Sequence, residues 1–210
     1  MIKILIADDH AVVREGIKHI LSEIPDIHIA GEARSGTEVL DRINSKDFDL
    51  ILLDIAMPGR DGLEILKDIK MQKPKLSVLI LSMFPEEQYA LRALKSGAAG
   101  YLTKDSIPAE LVKAIRKIAR GGKYISASFS EKLLFSLDSD AERPPHETLS
   151  DREFQVMRMI ASGKRLREIA DELALSEKTV STYRSRILEK MGMRNNTELT
   201  YYAIKNRLVD

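Results

Sequence analysis

The chain has 210 residues, 33 Lys plus Arg against 32 Asp plus Glu, and 44% hydrophobic residues. This is ordinary globular composition, enough for one large domain or two small ones. With no cysteine, disulfides, thiolate zinc sites and thiol nucleophiles are excluded, and a reducing compartment fits. No apolar run approaches the roughly 18 residues that a membrane span needs, and MIKILIADDH carries charge early, so a cytoplasmic protein with no membrane contact is expected.

In chain order, short β-branched runs occur at Ile2 to Ala7, Ile27 to Ala30, Leu50 to Leu53, Val78 to Leu81 and Tyr101 to Thr103. A helically spaced segment follows each. Val13, Ile17, Ile20 and Leu21 mark the first helix, and Leu111, Ala114, Ile115 and Ile118 the last. SGTE at Ser35 to Glu38 reads as a capping box that opens the second. Five strands alternating with five helices predict a parallel, doubly wound sheet over residues 1–122. After Gly121-Gly122 the pattern changes. A short helix is expected over Phe129 to Leu137, and DSDAERPPHET reads as linker, so 123–147 is assigned as a connection. Residues 148–210 carry only helical signals: SDRE at Ser150 to Glu153 is a second capping box, Ser176 caps a third helix and Thr197 starts a fourth. Charge follows this division: Lys plus Arg against Asp plus Glu is 18 to 18 in residues 1–122, 3 to 5 in 123–147, and 12 to 9 in 148–210. A small basic excess in the last segment hints at nucleic acid, although a solvated helical surface has it too.

Ligands of an open α/β sheet bind beyond the carboxyl ends of its strands. Asp8 and Asp9 follow the first predicted strand, Asp54 the third, Ser82 the fourth and Lys104 the fifth, which puts all five at one rim. Singly, each has an ordinary reading as cap, turn former or solvated charge. Together they crowd three carboxylates, which raise one another's pKa unless a cation compensates. Mg2+ takes oxygen ligands and keeps waters that phosphate oxygens can replace. With Lys104 as a second cation, Asp54 is placed to attack phosphorus and Ser82 to bond the phosphoryl group.

ILIADDH, LLDIAMPGRDG, LILS and GYLTK resemble the receiver domain of bacterial two-component response regulators, a flavodoxin-like fold. The resemblance implies that Asp54 accepts phosphate from a sensor histidine kinase. Asp8, Asp9, Asp54 and the backbone carbonyl of Ala56 would hold Mg2+, and Ser82 and Tyr101 would form the switch pair, the ring turning inward when the hydroxyl moves to phosphate. The family's lysine is often followed by proline through a cis bond. Here Asp105 follows, and no cis bond is expected. Ala56 and Phe84 flank the pocket without a group to orient water, so self-dephosphorylation is expected to be slow.

Residues 165–191 have a helix-turn-helix layout. On a helical wheel of SEKTVSTYRSRILEKM, Val180, Ile187, Leu188 and Met191 share one side, Thr182, Ser185, Arg186 and Glu189 face away, and Ser181 lies at the edge. Hydroxyls and arginine suit a major groove; an exposed basic helix in a small bundle is the plainer alternative. The stretch from LSDREF to LEKM resembles the LuxR-type DNA-binding domain, and its pairing with a receiver resembles the NarL/FixJ family, with TVSTYRSR and ELTYYAIKNRL nearest its GacA/UvrY-like branch. That resemblance implies base reading by Ser181, Thr182 and Ser185 in double-stranded promoter DNA. Lys178, Tyr183, Arg184, Arg186 and Lys190 would hold the backbone, although Arg184 lies near the apolar side of the wheel. It also implies a homodimer through the fourth helix, with Leu199, Tyr202 and Ala203, although internal packing would explain these three equally. Two rivals remain: a phosphorylation-independent regulator with a vestigial pocket, and an Asp-nucleophile phosphatase, for which no second general acid is visible.

Overall fold

Five parallel strands form one sheet in the computed structural model of the chain, which describes residues 1–57, 61–131 and 144–209. They are β1 (Ile2–Ala7), β2 (Ile27–Ala33), β3 (Leu50–Asp54), β4 (Ser77–Ser82) and β5 (Gly100–Thr103), in the order β2-β1-β3-β4-β5. The intervening helices are α1 (Ala11–Ser22), α2 (Gly36–Ser45), α3 (Gly62–Gln72), α4 (Glu86–Lys95) and α5 (Ile107–Ala119). The step from β1 to β2 crosses the sheet one way and every later step the other. Right-handed crossovers therefore put α1 on one face and α2 to α4 on the opposite one. α5 packs with α1, and α2 with α3. Covered on both faces, β3 is buried at all five residues, which is why it reads as a continuous apolar run. Ile4, Ile6, Leu50, Leu52, Leu79 and Leu81 meet Ile17, Leu21, Leu111 and Ile115 in one core.

β2 extends three residues beyond the apolar run, because Gly31, Glu32 and Ala33 keep pairing with Leu5, Ile6 and Ala7. Backbone pairing needs no apolar side chain. The Ser35 box is half formed: Ser35 Oγ accepts from Glu38 N at 3.3 Å, but Glu38 Oε2 accepts from Arg34 N at 2.9 Å. Gly62 packs so closely beneath β3 that a Cβ would stand 2.4 Å from Ile55 Cα.

The stretch after α5 reads as linker by composition, yet its first part is fastened to the sheet. Tyr124 N donates to Ala99 O at 2.9 Å and Tyr124 O accepts from Tyr101 N at 3.0 Å. A Cβ on Gly100 would lie 2.6 Å from Tyr124 O, so glycine is what lets this edge pairing form. The Tyr124 hydroxyl bonds Glu110 of α5, and Ser126 N donates to Glu86 Oε1, in the first turn of α4, at 3.1 Å. Residues 127–131 are helical; the rest of the expected short helix, and 138–143 of the linker, lie outside the described residues.

The chain divides into two compact units, 1–137 and 138–210. In the second, a 3-10 turn (Pro145–Thr148) precedes α6 (Asp151–Ala161), α7 (Leu166–Glu172), α8 (Glu177–Lys190) and α9 (Asn196–Lys205). The Ser150 capping box is complete, with Ser150 N donating to Glu153 Oε2 at 2.8 Å. α9 begins one residue before Thr197, because Asn195 is its cap and accepts from Glu198 N at 3.0 Å. Phe154, Met157, Ile160, Ile187 and Leu199 are buried in this unit. No helix among the described residues is long and apolar enough to cross a membrane.

Candidate functional site

β1 and β3 are neighbours whose onward connections run in opposite directions, so a crevice opens beyond their carboxyl ends. Asp8 and Asp9 follow β1 and Asp54 ends β3 at this crevice. Lys104, in the 3-10 turn after β5, reaches between them: its Nζ lies 2.7 Å from Asp8 Oδ2 and 2.7 Å from Asp54 Oδ2. The Asp8 and Asp54 side chains are fully buried and that of Lys104 is 8% exposed. Burial pushes the Asp54 carboxyl above the usual carboxylate range, against the opposing pull of Lys104 and of Ala56 N, which donates to Oδ1 at 2.9 Å. For Lys104, burial favours the neutral amine, but Asp54 and Asp8 outweigh it and the pKa is raised.

Asp8 Oδ2 and Asp9 Oδ1 are buried atoms that accept no hydrogen bond. The former faces the Lys104 ammonium, 2.7 Å away, as an ion pair. Asp8, Asp9, Asp54 and His10 each offer one ligand atom, all within 4.8 Å of one another. An acidic cluster with undonated oxygens fits a hard divalent cation.

Ser82, the last residue of β4, is fully buried, and its Oγ accepts from Phe84 N at 3.0 Å. Tyr101 on β5 is fully buried with its ring inward, and its hydroxyl donates to Phe84 O at 2.8 Å. Both side chains therefore hold the same residue's backbone, one at the amide and one at the carbonyl. Ala56 is exposed and Phe84 half-buried; Pro58, Gly59 and Arg60 of the quoted motif lie outside the described residues. No peptide bond among the described residues is cis.

Two pocket residues escape the sequence reading. His10 stands beside the acidic pair. Arg14, only 5% exposed, donates to Asp8 O at 2.8 Å, to Asp9 O at 3.3 Å and to Glu32 Oε2 at 2.9 Å, so it fixes the backbone that presents both aspartates. The one available signal was an arginine one residue from the apolar stripe of α1.

In the second unit, α7, a turn through Ala174 in the left-handed region (φ 52°) and α8 make a helix-turn-helix. Val180, Ile187, Leu188 and Met191 are buried as the wheel requires, whereas Lys178, Thr182, Ser185 and Arg186 are exposed, and Ser181 and Tyr183 half-buried. Thr182 Oγ1 donates to Lys178 O at 3.0 Å and Ser185 Oγ to Ser181 O at 3.2 Å, so each hydroxyl keeps lone pairs facing outward. Two other residues expected at the DNA backbone are engaged internally. Arg184 Nε donates to Asn196 Oδ1 at 2.6 Å, and Lys190 Nζ lies 2.6 Å from Glu153 Oε2. Exposed Arg165 and Arg167 flank the start of α7, the first helix of the motif, which crosses the backbone in a helix-turn-helix. In α9 two of the three expected dimer contacts need correction: Leu199 and Ala203 are fully buried in their own unit, whereas Tyr202 is half-buried, and the outward apolar residues are Tyr201 and Ile204.

A doubly wound sheet with an acidic rim, joined to a helix-turn-helix unit, defines the class of signal-dependent DNA-binding regulators. Residues 4–116 match the response regulator receiver domain family and residues 147–203 the luxR family of bacterial regulatory proteins. The response regulator GacA of Pseudomonas syringae pv. syringae is 38% identical, covering 100% of this chain and 99% of that protein. UvrY of Escherichia coli K12 is 36% identical, covering 99% and 96%. Solved structures of Salmonella RcsB are also similar. One at 28% identity has a TM-score of 0.73 and covers 98% of both chains. Another, bound to the promoter rprA in the presence of the phosphomimetic BeF3-, has a TM-score of 0.69 at 28% identity, covering 96% and 98%. The chain belongs to the two-component response regulators with a LuxR-type DNA-binding domain, and the GacA/UvrY-like resemblance is borne out.

Proposed function

We propose that Asp54 is the phosphoacceptor of a sensor histidine kinase and that its phosphorylation governs dimeric binding of residues 148–210 to promoter DNA. In this reading residues 1–122 are the receiver and 123–147 the connection. The observation that carries it is the Asp8–Lys104–Asp54 arrangement, a buried nucleophile held beside a fixed ammonium. Asp54 attacks phosphorus, the P–N bond to the kinase histidine breaks, and its electron pair leaves with the imidazole. Lys104 then turns from the carboxylate to a phosphoryl oxygen. Asp8, Asp9, Asp54 and the Ala56 carbonyl would hold Mg2+, which supplies charge neutralisation at the phosphoryl oxygens.

If Ser82 Oγ moves to the phosphoryl group and leaves Phe84 N, it loosens the residue that Tyr101 holds through its hydroxyl. Pocket and β5 are coupled in this way. Phosphoryl chemistry is confined to the chain itself, with no outside ester as substrate, and with Ala56 and Phe84 unable to orient water the phosphate half-life is minutes or longer. A half-life of seconds would overturn that last point. On DNA, Ser181, Thr182 and Ser185 read bases, while Lys178, Tyr183 and Arg186 hold phosphates. Arg184 and Lys190 join them only by leaving Asn196 and Glu153. Tyr201 and Ile204 offer the face for a second copy. Promoter DNA as the partner agrees with a protein of the cytoplasm.

The test is intact mass after acetyl phosphate, with and without Mg2+, on wild type and Asp54→Asn. One Mg2+-dependent adduct, missing in the variant, is expected. No adduct on wild type would leave a phosphorylation-independent regulator.

A further inference from the structure

The imidazole of His10 has no part in the phosphoryl chemistry above, yet its Nδ1 lies 3.0 Å from Asp9 Oδ1 and 3.3 Å from Asp8 Oδ1. Ligand atoms about 2.1 Å from one zinc ion stand roughly 3.0 Å apart along an octahedral edge and roughly 3.4 Å apart along a tetrahedral one. The nitrogen is thus spaced from two carboxylates as ligands of a single ion are. The four ligand atoms lie within 4.8 Å of one another, against roughly 4.2 Å between trans ligands of such an ion, so closing on it needs movements of no more than a few tenths of an ångström. His10 N donates to Asp8 Oδ1 at 2.8 Å, which anchors the residue there. Its side chain is 64% exposed and has room to turn.

We propose that His10 sets the ion preference of the acidic pocket, supplying a nitrogen ligand through which the site takes borderline divalent ions such as Zn2+ or Co2+ in competition with Mg2+. Mg2+ is bound through oxygen, whereas imidazole suits zinc and its neighbours. Any nitrogen and oxygen site binds Zn2+ more tightly than Mg2+, so a bare affinity ratio carries no information about His10. The informative quantity is how much of each affinity depends on this one side chain. The proposal rests on the acidic cluster being the receiver's cation site, and the experiment separates the two.

Chelator-treated full-length protein is titrated calorimetrically with Zn2+ and with Mg2+, and with Co2+ by visible absorption, as wild type, His10→Ala and Asp9→Asn. His10→Ala is expected to weaken the Mg2+-competed Zn2+ and Co2+ site about ten-fold or more and to alter the Co2+ spectrum, while Mg2+ affinity changes less than two-fold. Zn2+ bound at His19, His28 or His146 is not displaced by Mg2+ and is counted apart. Equal effects of His10→Ala on both ions, or none on either, would overturn the role of His10 and leave the pocket standing. Mg2+ binding unaltered by Asp9→Asn would overturn the pocket itself, and the role of His10 with it.

Discussion

Replacing Lys104 with Met removes the ammonium that lies 2.7 Å from each of two buried carboxylates. Truncating one partner of a buried ion pair costs about 3–5 kcal/mol, because the remaining charge has neither water nor counterion. Here two carboxylates share that fate. They recover by taking up protons or a divalent cation. A ligand at 100 times its dissociation constant returns about 2.7 kcal/mol. In EDTA at neutral pH, the urea transition of the N-terminal unit should therefore lose about 3 kcal/mol in Lys104→Met. Saturating Mg2+ should restore most of it, and should stabilise wild type less, because there the ammonium must yield its place. The loss should shrink on acidification, as Asp54 binds a proton more readily than an ordinary carboxyl. Circular dichroism of the full chain serves as the assay, with the C-terminal transition unmoved as internal control. A loss below about 1 kcal/mol in EDTA, or one that Mg2+ does not reverse, would refute the view that Lys104 stands in for a cation.

Ala174 adopts φ 52° in the turn before α8, a conformation that costs an L-residue roughly 1–2 kcal/mol; Ala174→Gly should stabilise the C-terminal unit by roughly 0.5–1 kcal/mol, read as a Tm rise of a few degrees. Burial pushes the Glu153 carboxyl up, but Lys190 and the Ser150 contacts outweigh it and hold the pKa below normal. Its stabilisation is present above the unfolded value of 4.5 and lost as pH falls through the lower folded value. Acid melts of Lys190→Met should show a smaller loss over that window, because without the ammonium the folded value rises toward the unfolded one, and coincident curves for variant and wild type would show that the ion pair does not hold the carboxyl down. Arg186→Ala should lower the slope of log affinity against log salt by about one, whereas alanine at both Thr182 and Ser185 should flatten sequence preference at a similar slope. Binding assays on specific and scrambled promoter DNA across salt distinguish the two.

Much of this protein was legible in its sequence because the signals are local. A continuous apolar run or a 3.6-period stripe is a property of neighbouring residues, so the cores of all five strands and the main helices fall where those local signals put them. The Ser150–Glu153 box closes three residues along one chain. The joint placement of Asp8, Asp9, Asp54, Ser82 and Lys104 followed from a general rule about strand ends, without knowledge of strand order. What only the tertiary structure decided are contacts between residues far apart in sequence. Lys104 meets Asp54 fifty residues away, Arg14 braces the acidic loop, and Tyr124 pairs with the edge of β5 because Gly100 leaves space. Leu199 and Ala203 face their own core rather than a partner. Lys190 is tied to Glu153. None of these could be read from composition or period, since an apolar residue is equally at home in a core or an interface, and a charged one in solvent or beside a counterion. Packing chooses between them, and packing is set by the whole chain.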